Sequence, residues 1–102
     1  MNILSDLPNN FKDEVFEVIA SSDSLTIERI VSKGHTSPAS GWYEQEKHEW
    51  VMVVKGHAIL TFEDRELELK PGDYVNIPAM QKHKVSWTDP EQETVWLAVH
   101  YA

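Results

Sequence analysis

The chain has 102 residues, of which 41% are apolar, 10% aromatic and 25% charged, and it has no cysteine. These values fit one globular domain over 1–102 and exclude disulfides, thiolate metal sites and cysteine nucleophiles. Nine basic against seventeen acidic residues give a net charge of −8, which repels nucleic-acid phosphates and anionic lipid, so neither nucleic acid nor membrane is an expected partner.

Residues 1–10 read as an irregular arm. They show neither a basic n-region nor an apolar h-region, so no secretory signal is expected. With the cysteine-free composition this favours a cytoplasmic setting. Phe11, Val15, Phe16 and Ile19 would share a helix face. The crowding of β-branched and aromatic residues nevertheless favours a strand over 14–20, and with 25–31 it gives an N-terminal hairpin over 14–31. Residues 32–42, SKGHTSPASGW, form the longest loop.

From Trp42 to Tyr101 strand signals dominate. Residues 49–54, EWVMVV, are a continuous apolar strand, expected to pair in a hairpin with 57–63 after Gly56. Residues 66–70 alternate, 73–77 follow the Pro71-Gly72 turn, 83–87 alternate again, and 94–101 close the chain. Short strands with a turn about every eight to twelve residues predict an all-β sandwich or barrel. The longest strongly apolar run, Trp50 to Val54, is too short to span a bilayer.

Parity adds a constraint. If Glu49 faces the interior, Val51 and Val53 do too, and Trp50, Met52 and Val54 face outward. A strand apolar on both faces is covered on both. The outer cover is expected to be the N-terminal hairpin, a second subunit in a homodimer, or both.

Glu49 stands seven positions before Gly56; Gly72, Pro78 and His83 follow at spacings of six and five. In these residues the stretch 42–101 resembles the small single-domain cupins. Their first motif runs roughly G-x5-H-x-H-x3–4-E-x6-G, and their second G-x5-P-x-G-x2-H-x3-N. The resemblance implies a double-stranded β-helix, or jelly-roll barrel, with a metal or small-molecule site inside. The chain departs from the pattern at several positions. Tyr43 and Gln45 stand where the first-motif histidines would be (Trp42 and Glu44 in the alternative spacing). The initial glycine is missing, Met80 replaces the second-motif glycine, and Trp87 stands in place of asparagine.

The residues themselves allow two readings of that interior. Tyr43, Gln45 and Glu49 share parity along an extended segment and would converge with His83. They would hold a divalent transition metal such as iron, manganese, zinc or nickel, more weakly than three histidines would, because an amide oxygen and a phenol are poor ligands. Alternatively they form a hydrogen-bond network around His83 with no metal. His48 faces away from Glu49 unless a β-bulge turns it inward. Trp87 shares parity with His83 and Val85 and is expected to line the cavity. Arg29 would be a ligand-binding cation there if Leu25, Ile27 and Val31 face inward; otherwise it pairs with an acid outside. His100 is expected at a packed or rim position.

Three functions remain open on these residues: a metal-dependent enzyme acting on a small organic molecule in the barrel, a non-catalytic ligand-binding or sensor barrel, and a metal-free structural dimer module. Fold alone does not choose among them.

Overall fold

Runs such as LTIERIV and TVWLAVHY are rich in β-branched and aromatic residues, and they fold as strands. A computed structural model describes all 102 residues and contains eight strands and no helix. They are β1 (Val15–Ser22), β2 (Leu25–Ser32), β3 (His48–Lys55), β4 (Ala58–Phe62), β5 (Glu66–Leu69), β6 (Tyr74–Ile77), β7 (His83–Thr88) and β8 (Thr94–Tyr101). No helix is long and apolar enough to cross a membrane.

The strands form two antiparallel sheets. The larger has the order β1-β2-β8-β3-β6 and the smaller β5-β4-β7. The expected N-terminal hairpin forms, with Val15 opposite Val31 and Ser22 opposite Leu25. It extends the edge of the larger sheet through β2–β8 pairing and does not lie over that sheet's outer face.

The expected hairpin between β3 and β4 does not form. β3 pairs with β6 and β8, whereas β4 pairs with β5 and β7. The chain crosses between the sheets at Gly56. There φ is +97°, and a Cβ would lie 2.5 Å from Thr94 Oγ1 and 2.6 Å from Thr94 Cα. A tight glycine between two apolar strands signals close backbone approach as readily as a hairpin. A bulge at the end of β3, where Val53 and Lys55 face Trp96 and Val95, precedes the crossing.

The core lies between the sheets. Val51 and Val53 from β3, Ala58, Leu60 and Phe62 from β4, and Trp96 and Ala98 from β8 belong to one buried cluster. The inward parity of Glu49, Val51 and Val53 holds, and Trp50, Met52 and Val54 face outward, only half-buried. The Pro71-Gly72 turn closes as expected, with Gly72 at φ +93° and the Asp73 N–H donating to the Lys70 carbonyl.

Part of the long loop also joins the smaller sheet. Ser37 bridges Val85, and Tyr43 bridges His83, each pair exchanging backbone hydrogen bonds of 2.8–3.1 Å. This lays the segment ahead of β3 alongside β7 and fixes which of its side chains enter the barrel.

Candidate functional site

The site is built where β3 and β7 begin and β8 ends. Antiparallel pairing places Glu49 directly opposite His100, and the Tyr43–His83 bridge sets those two side chains on the same face, ring centroids 5.6 Å apart. Gln45 follows two residues after Tyr43, and Glu28 projects from β2 toward His100. All six line one cavity of about 140 Å³ that opens to solvent.

At its centre His83 Nε2 faces Glu49 Oε1 at 3.3 Å, with side chains 5% and 12% exposed. The other ring nitrogen, Nδ1, lies 2.9 Å from the Gln81 carbonyl. Both partners are acceptors, so the form that satisfies both is the imidazolium. Burial disfavours that charge. The hydrogen bond to Glu49, the Gln81 carbonyl and the charge of Glu49 outweigh it, and the His83 pKa is raised above its ordinary 6.5.

His100 extends the array. Its Nε2 lies 3.1 Å from Glu28 Oε1 and 3.9 Å from Glu49 Oε2. Carboxylates and imidazoles therefore alternate from Glu28 through His100 and Glu49 to His83. Two cavity-lining residues, Gln45 and Trp96, carry buried polar atoms with no partner, Gln45 Oε1 and Trp96 Nε1.

Of the residues singled out in the sequence, Glu49, His83, Gln45 and Tyr43 come together in the cavity. His48 stays outside. Its Nδ1 accepts a 2.9 Å hydrogen bond from the Ala79 N–H, its ring lies against Tyr101, and no bulge interrupts the start of β3.

Trp87 also lies outside. Leu60 pairs with Val85 but Ile59 pairs with Trp87, so Ser86 is an extra residue in β7. That bulge inverts parity, turning Thr88 inward and leaving Trp87 edge-on against His57 on the outer surface.

Arg29 is buried but points away from the cavity. It is held by Glu17 at 2.7 Å and by the carbonyls of Ile3, Ser5 and Asp6 at 3.1, 2.7 and 3.3 Å. The inward set on β2 is Glu28 and Ile30. The guanidinium thus anchors the N-terminal arm, the outside pairing with an acid being the one of the two readings that the structure adopts, and no other Arg or Lys lines the cavity.

Glu28, His100 and Trp96 are the lining residues that sequence reasoning undervalued. The usable signal was antiparallel pairing: once Glu49 is inward, the residues facing it and its neighbours on β8 are inward too.

The donor set is a poor match for a resident metal. No group of three or more His, Asp or Glu side chains is placed to hold a cation. The strong donors are engaged with one another along the line from Glu28 through His100 and Glu49 to His83, and Tyr43 and Gln45 supply weak ones.

A family profile described as "Cupin domain" matches residues 28–100. No curated protein matches the chain. Among solved structures, a Ralstonia eutropha JMP134 protein provisionally named a mannose-6-phosphate isomerase is 42% identical, with a TM-score of 0.94, covering 99% of this chain and 95% of that one. A cupin superfamily protein of Desulfitobacterium hafniense DCB-2 is 19% identical with a TM-score of 0.77, covering 93% and 83%. An rmlC-like cupin of Methanocaldococcus jannaschii, with a double-stranded β-helix fold, is 20% identical with a TM-score of 0.71, covering 94% and 86%. The last two speak for the fold alone. With the profile spanning most of the chain, and a jelly-roll of two antiparallel sheets enclosing the pair of Glu49 and His83, this chain belongs to the cupin family.

Proposed function

We propose that the barrel binds a small organic molecule, on which Glu49 and His83 act as a hydrogen-bonding and acid–base pair without a metal. The carrying observation is the buried 3.3 Å pair in a cavity that also holds the unpartnered Gln45 Oε1 and Trp96 Nε1. Buried polar atoms are nearly always partnered, so a donor and an acceptor of a ligand, or ordered water, complete them. A His with a raised pKa beside a carboxylate can pass a proton to or from a bound group near neutral pH.

A fragment screen followed by side-chain NMR tests this. Hits that shift the His83 ring and the Trp96 indole resonances, and that are lost in Glu49→Gln, support the reading. A barrel that refuses every class of fragment would instead favour a structural dimer module.

Iron, manganese, zinc or nickel held by Glu49, His83 and Gln45 is the second reading. The free Gln45 oxygen supports it, and the scarcity of converging strong donors opposes it. Elemental mass spectrometry on chelator-free protein decides: we expect well below one equivalent per chain. One equivalent, lost in His83→Ala, would establish the metal site.

A homodimer belongs to the same proposal. The outer face of β3 and β8 presents Trp50, Met52, Leu97 and Val99, half-buried in one chain, with Tyr74 exposed beside Trp50. The Arg29-bound arm lies toward β2. A contiguous apolar face of this kind suits a second copy. Light scattering should give twice the chain mass of 11.7 kDa, falling to the single mass in Met52→Lys. A cytoplasmic setting accords with a cysteine-free chain.

A further inference from the structure

We infer that the cavity takes a small organic cation, a protonated amine bearing a hydroxyl or carbonyl oxygen, and rejects phosphates and carboxylates. This rests on the small-molecule reading above.

The charge of the lining carries the argument. Glu14, Glu28 and Glu49 face the cavity; the bases among its lining residues are His83 and His100, and no Lys or Arg is present. Even with both imidazoles protonated the lining stays negative. An anion entering here would lose its hydration and meet carboxylates. Arg29, the cation best suited to a phosphate, is spent on the outer face against Glu17 and three backbone carbonyls. The sugar phosphate implied by the name of the Ralstonia relative therefore finds no partner of opposite charge beyond the two imidazoles, each already facing a carboxylate.

The unpartnered atoms point the same way and add a direction. Gln45 Oε1 needs a donor, which an ammonium supplies in plenty. Gln45 lines the mouth with Glu28 and His100, and those three also border a shallow outer depression that holds Glu46 and Lys47, where the carboxylates of Glu28 and Glu46 outnumber the one lysine. Trp96 is 2% exposed, and its Nε1–H needs an acceptor. Trp96 and His100 lie on the same strand four residues apart, about 13 Å at roughly 3.3 Å per residue. The walls between them are apolar, with Val51, Leu60 and Ile77. An amine at the acidic mouth and an oxygen directed toward the Trp96 indole match this polarity. Tyr43 and Phe16 add aromatic rings to the lining.

The test uses three matched fragments, aminopropanol, propanediol and hydroxypropyl phosphate, titrated into the wild-type protein and followed by NMR. We expect aminopropanol to shift the Gln45 side-chain amide at the mouth and to bind about tenfold or more tighter than propanediol. Hydroxypropyl phosphate should leave that amide unmoved. Glu28→Gln should lower the aminopropanol affinity about tenfold and leave that of propanediol unchanged. Phosphate or diol binding as tight as the amine would overturn the charge inference and leave the small-molecule reading standing. Failure of all three fragments to bind would overturn both.

Discussion

His83 on β7 and Glu49 on β3 reach toward one another from opposite sheets, Nε2 to Oε1 at 3.3 Å. The pair ties the two sheets together at the same point where it faces the cavity. A change to either partner is therefore read out in stability as well as in ligand binding.

The pH dependence has a definite sign. The folded-state pKa of His83 lies above its ordinary 6.5. Its contribution to stability is then fully present below about pH 6.5 and is lost as pH rises through the folded value. The denaturant midpoint should fall over that alkaline-going window. In Glu49→Gln the window should shrink, and the His83 ring titration followed by NMR should move to lower pH. An unchanged His83 titration in that variant would break the assignment.

Removing the imidazole alone leaves a buried carboxylate without its main partner. His83→Ala should cost about 2–4 kcal/mol and still fold, since His100 stands 3.9 Å from the other Glu49 oxygen. The double variant with Glu49→Gln should cost less than the sum of the singles by roughly 1–3 kcal/mol. Urea titrations of the four proteins measure this, and strict additivity would mean the two groups are uncoupled.

Gly56 marks the crossing between sheets. Gly56→Ala places a Cβ against the Thr94 backbone, 2.6 Å from its Cα, at a φ that alanine rarely adopts. A loss of about 3 kcal/mol or more is expected, or failure to accumulate as soluble protein. A thermal midpoint within a few degrees of wild type would show that the crossing can relax.

Met80 is the converse case. It stands where the cupin motif has glycine, holds φ +67°, and donates its N–H to the Gln45 carbonyl at 2.7 Å. The backbone keeps the glycine conformation although the residue has changed. Met80→Gly should relieve left-handed strain and stabilise the fold by up to about 1 kcal/mol, net of glycine's unfolded-state entropy. Calorimetry would detect it.

Arg29→Met should free the N-terminal arm. Loss of charge-assisted bonds to Glu17, Ile3, Ser5 and Asp6 is worth roughly 2–4 kcal/mol. Hydrogen exchange over residues 1–7 should accelerate. Fragment binding in the cavity should be unchanged, which a cavity-facing Arg29 would not allow.

The strands, their turns and the inward set of Glu49, Val51 and Val53 followed from the sequence, because β-branched alternation and the Pro71-Gly72 turn are local signals. So did the meeting of Glu49 with His83, carried by motif spacing. Period-two alternation sorts β2 into two sets but does not say which is inside. The outward set of Leu25, Ile27 and Val31 is the more apolar, so the sequence left Arg29 between a cavity cation and an outside ion pair and gave no reason to place Glu28 inside. Trp87 left the cavity because one extra residue, Ser86, inverts the parity of β7, and a bulge has no signature in the alternation itself. The β3–β4 hairpin gave way to a crossing because Gly56 packs against Thr94, a residue thirty-eight positions away. Local chemistry determined the elements and one pair of the site. Non-local pairing between sheets decided the remaining lining, its negative charge and the placement of His100 beside Glu28 and Glu49.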